Sequence, residues 1–204
     1  MTNKNEMAYE KIKEGILTGE ISREHPLSET MLVDKLGISR TPIRSALQRL
    51  QLEGFVKVTP NQGVVVHEIS LKEATELYEL RRLVEEYLIH QSVNLLKEED
   101  FIRLEQYVDA QKAAIAKKDY HLYLKLDAEM HLYCYRKHEN DAMKEILTNY
   151  RERLYPVRYR TCVKKYPRVD DHTLFIEALR EQNVQKACDI MCEHISKGIM
   201  AHIL

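Results

Sequence analysis

Several things are scarce in this 204-residue chain, and each shortage narrows what the chain can be. No apolar run approaches the length of a membrane-spanning helix, so no membrane partner is expected. With only six glycines there is no glycine-rich loop to cradle a nucleotide phosphate. There is no His-Glu-x-x-His motif and no Ser/His/Asp arrangement, which argues against the common hydrolytic chemistries. Surplus charge is missing too: 31 Lys and Arg stand against 32 Asp and Glu, a net charge of −1. A polyanion partner, if there is one, must therefore meet a local patch. The N-terminal stretch MTNKNEMAYEK lacks the apolar centre of a secretory signal, which makes the cytoplasm the expected location. The four cysteines (Cys134, Cys162, Cys188, Cys192) are then read as reduced thiols. Cys188 and Cys192 lie one helical turn apart, a weak zinc signal on its own.

What is present is 44% hydrophobic and 31% charged, the balance of a globular chain able to bury a core in one large or two small domains. Its charge is uneven. Residues 1–66 hold nine Lys and Arg against eight Asp and Glu, and the remainder holds 22 against 24. Within residues 35–57 five basic residues (Lys35, Arg40, Arg44, Arg49, Lys57) face Glu53 alone.

That basic stretch sits in the most patterned part of the chain, Leu36 to Val66. Gly37 ends one helix and Ser39 is placed to cap the next with its hydroxyl. Ile43, Leu47 and Leu50 share a buried face, while Arg40, Arg44 and Gln48 follow the same spacing on another. Two β-branched runs, Phe55–Val58 and Val64–His67, flank Thr59–Gly63 as a hairpin with a loop. An apolar-backed helix with Arg and Gln in front suits a DNA major groove, because guanidinium forks match guanine edges and phosphates. The hairpin would form a wing.

Upstream, residues 6–18 read as a helix ended by Gly19, a loop runs from Ser22 to Pro26, and Ser28 and Glu29 open a short helix. Beyond Ser70 no strand-like alternation occurs. Helices are predicted over 70–95, 98–117, 119–137, 141–162, 168–181 and 183–202. The expected fold is mainly α: residues 1–69 a winged helix-turn-helix and residues 70–204 an all-α bundle, joined by a short, coupling boundary.

In the second part, Asp127 and His131 stack one helical turn apart, and His172 and His194 fall on other predicted helices. Three imidazoles and a carboxylate suit Zn²⁺ or Ni²⁺, although an isolated Asp/His pair is more often a plain surface hydrogen bond.

Both parts resemble a known family. The run Leu36-Gly-Ile-Ser-Arg-Thr-Pro-Ile-Arg44, then Ala46-Leu47, Leu50 and Glu53-Gly54, is similar to the winged helix-turn-helix of GntR-family bacterial transcription regulators. Residues 70–202 resemble the FCD ligand-binding domain of the FadR subgroup, with Asp127, His131, His172 and His194 on its four ligand positions. Asn140 matches a further family position, and Arg81 and Glu85 match the Arg and Glu of the domain's first helix. The resemblance implies a homodimeric DNA-binding regulator, not an enzyme, with repression as the expected mode. DNA would be read by Ser39, Arg40, Thr41, Arg44, Arg49 and the wing residue Gly63, on a pseudo-palindromic operator. A metal site would anchor a small carboxylate effector, with Arg81 or an Arg of RERLYPVRYR (Arg153, Arg158, Arg160) as second anchor and Asn140 as a further ligand-binding residue. Tyr123, Tyr135, Tyr155 and Tyr159 are pocket or core residues on this view, and His121, His138 and His202 surface ones. The chain departs from the pattern at Thr30 and at Asn61-Gln62, where Arg is common, and at Ser45, where Glu is usual. Fewer phosphate contacts imply weaker non-specific binding and a shallower salt dependence. Two alternatives remain open: a metal-dependent enzyme carrying a DNA-binding domain, and a regulator that answers to the metal itself.

Overall fold

The computed structural model describes residues 4–21, 24–164, 167 and 169–203, with side chains to residue 198. Ser22 of the expected loop and the side chain of His202 lie outside the described residues. The chain packs as two units, Met1–Ile69 and Ser70–Leu204.

In the first unit α1 (Lys4–Thr18), α2 (Glu29–Leu36) and α3 (Arg40–Leu52) precede a hairpin of β1 (Val56–Thr59) and β2 (Gly63–Val66). The strands pair antiparallel, with Val56 opposite Val66 and Thr59 opposite Gly63. Local chemistry sets the turns. The Ser28 hydroxyl accepts from the Met31 amide and caps α2, and Gly37 at φ +66° closes it in the left-handed conformation. Gly63, at φ +79° on the wing, needs the same freedom. The apolar stripe of α3 does what its spacing predicts: Ile43, Leu47 and Leu50 are buried with Ile12 and Ile16 of α1, Leu32 of α2, and Phe55, Val56 and Val66. The Leu27 amide donates to the Val64 carbonyl, tying the lead into α2 to the wing.

The second unit is helical: α4 (Leu71–Ser92), a short 3-10 turn (Val93–Leu95), α5 (Glu98–Ala116), α6 (Tyr120–Cys134), α7 (Asp141–Arg153), α8 (Tyr155–Lys164), α9 (Asp170–Arg180) and α10 (Val184–Ile203). A full capping box, Ser70 with Glu73, starts α4. Helix α4 packs on α7 and α10, α5 on α6 and α9, and α6 on α8.

The span 141–162, expected as one helix, is two. It breaks at Leu154, which caps α7, because Pro156 has no amide hydrogen to continue the ladder and fits only the first turn of a new helix. Ser39 is also a correction. It stands at the N-cap position of α3, but its hydroxyl makes no cap bond.

Candidate DNA-reading face and metal centre

Burying Ile43, Leu47 and Leu50 turns the opposite side of α3 to solvent. Ser39, Arg40, Thr41, Arg44, Gln48 and Arg49 are all exposed there, as are Asn61, Gln62 and Gly63 on the wing. The arginines differ in their partners. Arg44 donates from Nε and Nη2 to the two carboxylate oxygens of Glu29, at 2.8 and 3.0 Å. Arg49 donates to Glu53 and Glu6 and lies 3.6 Å over the Tyr9 ring. Arg49 thus clamps α3 to α1, a structural task that its place on a basic helix did not reveal.

The second unit gathers the four expected metal-site residues. Asp127, His131, His172 and His194 each offer one donor atom, and these atoms lie within 4.8 Å of one another. The first three side chains are wholly or almost wholly buried, and His194 is 14% exposed. Each imidazole is oriented from behind. His131 Nδ1–H donates to Glu85 Oε2 at 2.7 Å, and His172 Nδ1–H donates to Gln111 Oε1 at 2.8 Å. A carboxylate and an amide oxygen can only accept, so these bonds set the tautomer and turn each Nε2 lone pair inward. His194 Nδ1 sits 3.5 Å from Asp171.

The inward atoms test whether the residues fit a cation. Asp127 Oδ1, His131 Nε2 and His172 Nε2 are buried without a hydrogen-bond partner. Orphaned buried acceptors are costly, and several converging on one point are what a cation satisfies. His172 Nε2 and Asp127 Oδ1 are 3.4 Å apart, close to the spacing of two donors on an ion held at about 2.1 Å. Burial pushes His131 down to about 4 and His172 well below the usual histidine range, so both rings are neutral at physiological pH, as ligation requires. Burial raises the Asp127 carboxyl, but Arg158 and Arg151 outweigh it and hold the group well below the usual carboxylate range. The set of three imidazoles and one carboxylate fits a borderline divalent ion.

Around this centre runs a buried ion network. Asp127 Oδ2 accepts from Arg151 and Arg158. Glu85 takes Arg81 Nε at 2.5 Å and Arg151 at 3.3 Å on one oxygen, and His131 and the Tyr135 hydroxyl on the other. With neutral imidazoles, three guanidinium groups face two carboxylates. Arg81 Nη2 and Arg151 Nε are buried donors without a partner.

Other expected site residues lie elsewhere. Asn140 is exposed and spends its side-chain oxygen capping α7 through the Met143 amide, so it is a helix cap rather than part of the cluster. His121, expected at the surface, is half-buried: it bonds the Tyr155 hydroxyl at 2.5 Å and stacks on Tyr159 at 4.2 Å. His138 is partly buried, packed edge-on to Tyr87. Tyr123 and Tyr135 are core residues. Of the three arginines singled out in RERLYPVRYR, Arg158 joins the cluster. Arg151, overlooked, is the buried one at 2% exposure. Its signal was there: Leu147, Arg151, Leu154 and Arg158 follow a four–three–four spacing, a core stripe with cations in it. Gln111 was missed in the same way, between Val108 and Ala114.

Comparison with known proteins finds a family match in each part of the chain. Residues 4–66 match the family "Bacterial regulatory proteins, gntR family", and residues 76–197 match the FCD domain. The chain is similar to the HTH-type transcriptional regulator YdhC of Bacillus subtilis, 27% identical over 52% of this chain and 48% of that protein. It is also similar to the HTH-type transcriptional repressor RspR of Escherichia coli, 26% identical over 62% and 56%. It thus spans about half the length of these relatives. The solved structure of E. coli McbR/YncC shares the fold, with a TM-score of 0.85 over 100% of this chain and 98% of that one, at 19% identity.

Proposed function

Because this chain belongs to the GntR family of transcription regulators that carry an FCD domain, we propose that it is a sequence-specific DNA-binding regulator controlled by a small organic acid bound beside a divalent metal. Relatives in this family are regulators, not enzymes. In the proposal, residues 1–69 read DNA and residues 70–204 sense the effector. Arg40 and Arg44 read base edges; Ser39, Thr41 and the wing at Gly63 position the phosphate backbone. Two copies read a pseudo-palindromic operator, since a twofold dimer places its helices in successive major grooves. Repression is the expected mode, as in the similar RspR, which is named a repressor. The cytoplasm is the proposed location, and no helix among the described residues is long and apolar enough to cross a membrane.

The observation that carries the sensing half is the set of orphaned buried acceptors on Asp127, His131 and His172. With His194 they would hold Zn²⁺ or Ni²⁺, which when bound offers an open coordination position to a carboxylate. The protein's own part is orientation and charge. Glu85 and Gln111 fix the imidazoles, while Arg151 and Arg158 hold Asp127 ionised and in place. The unpartnered Arg81 Nη2 and Arg151 Nε would grip the second end of the acid, because buried guanidinium donors pair strongly with carboxylate.

Elemental analysis of the freshly purified chain tests this. About one divalent ion per chain is expected, absent from His131→Ala and His172→Ala. Metal at about 100-fold its Kd should stabilise the wild type by roughly 2.7 kcal/mol, and chelation should reverse it. Equal metal in wild type and both variants would remove the site.

A further inference from the structure

The ion pair between Arg44 and Glu29 has more order than its stability value explains. Both groups are exposed enough that such a pair adds little to folding. Yet both carboxylate oxygens are engaged, at 2.8 and 3.0 Å. The two halves are unequal. Glu29 is 31% exposed and sits in the first turn of α2, whose start Ser28 caps; Arg44 is 65% exposed on the solvent side of α3. The carboxylate is therefore the anchored member and the guanidinium the member that is held.

Which edge is held matters. Glu29 takes Arg44 by the side edge, Nε and Nη2. A guanidinium gripped there keeps its end fork, Nη1 with Nη2, available, and that fork matches O6 and N7 of guanine. The same grip cancels the charge that would otherwise attract any phosphate. Nearby, Thr30 and the wing pair Asn61-Gln62 supply no cation either. Sequence-blind attraction on the exposed front of α3 is then left mainly to Arg40, and the direction of Arg44 is constrained.

Resting on the reading of α3 as the DNA-contacting helix, we propose that Glu29 is a positioning residue for Arg44: it aims the guanidinium fork at a guanine edge and suppresses its use on phosphates, so it sets specificity rather than affinity. Loss of the carboxylate then frees Arg44 to swing to the backbone. Non-specific binding strengthens, and discrimination falls.

The test uses the full chain and two probes, a duplex selected by the wild type from a random-sequence pool and a mixed-sequence duplex of equal length. Affinity for each is measured over a range of salt. Glu29→Gln keeps the side chain's size and removes its charge. It should bind the mixed duplex more tightly, steepen the log–log salt slope there by about 0.9, one extra phosphate contact, and lower the selected-to-mixed ratio about tenfold. Asp34→Asn, on the exposed side of α2, makes the same change in net charge and is the control; it should shift both affinities together and leave the ratio intact. A Glu29→Gln ratio equal to wild type, or changed no more than by Asp34→Asn, overturns the proposal. Arg44→Ala separates the two levels. If it weakens the selected duplex while Glu29→Gln leaves the ratio unmoved, only the positioning role fails. If it changes neither affinity, α3 is not the reader, and the positioning role falls with it.

Discussion

Charge is handled in opposite ways by the two units. In Met1–Ile69 the arginines of α3 stand in solvent, and even the paired ones, Arg44 and Arg49, keep 65% and 48% of their side chains exposed. In Ser70–Leu204 Arg81 and Arg151 are 2% exposed, Glu85 and Asp127 not at all. Exposed charges are screened, cheap to rearrange and available to a partner. Buried ones lose hydration that only close pairing offsets, so a buried network is weak evidence for stability as such. On the proposed function, the difference separates a surface left open to DNA from an interior whose buried donors would hold a cation. The proposed functions follow that division: a single exposed pair would tune specificity, whereas sensing would depend on a network whose members stand or fall together.

The strongest way to break this comparison is to remove one arginine from each unit. Arg151→Leu leaves Asp127 and Glu85 buried with a cation fewer, and should destabilise the helical unit by about 3–5 kcal/mol. Arg44→Leu breaks a solvent-exposed pair and should change stability by no more than about 0.5 kcal/mol. Denaturant unfolding of both variants decides the matter. Similar losses would mean that burial is not what sets the two regions apart.

How much of this was legible in the sequence depends on whether a feature is local. The first unit was largely readable, because the Ser28 cap, Gly37 and the stripe Ile43–Leu47–Leu50 are decided within a few residues. The all-α class of the second unit was readable from periodicity for the same reason. The single helix expected over 141–162 failed at a local signal passed over, Pro156. The candidate centre was legible only in part. Spacing alone shows Asp127 with His131, but no spacing brings α6, α9 and α10 together, and the family resemblance carried His172 and His194. Arg151 and Gln111 stayed hidden because polar residues are ordinarily assigned to solvent, and only the surrounding leucines and valines contradicted that. Arg49 shows the opposite limit: a cation on a basic helix looks free in the sequence until Glu6, Glu53 and Tyr9 are seen around it.

A second test sets the units against each other by pH, in metal-stripped protein. Burial lowers His131 to about 4 and His172 in the same direction, against an unfolded value of about 6.5. Below pH 6.5 the unfolded chain takes up protons that the folded chain refuses. Stability should be whole above that value and fall as pH drops toward 4, on the order of 3 kcal/mol from His131 alone. Asp127 and Glu85, held low by neighbouring arginines, add a further loss in stronger acid. The first unit should fail at the other extreme. Burial and the bond to Glu53 raise Tyr9 to about 12, so its contribution is complete below pH 10 and lost as pH rises toward 12. Unit-specific melting against pH reads both. If the helical unit were indifferent between pH 6.5 and 4, its imidazoles would not be held neutral by burial.

The smallest expected effect is also the sharpest, because it lies within one kind of residue. Ser28 caps α2 and Asn140 caps α7, each accepting an amide bond, while Ser39 at the start of α3 accepts none. Ser28→Ala and Asn140→Ala should therefore each cost about 1 kcal/mol, and Ser39→Ala only a few tenths. A cap position that gives up its bond keeps its hydroxyl and the first amides of the helix free for a phosphate. Ser39→Ala should then weaken binding to a selected duplex while leaving the melting temperature nearly unmoved, the reverse of Ser28→Ala. Should the two serines cost the same in stability, Ser39 would be an ordinary cap, and the opening of α3 would have no part of its chemistry held in reserve for DNA.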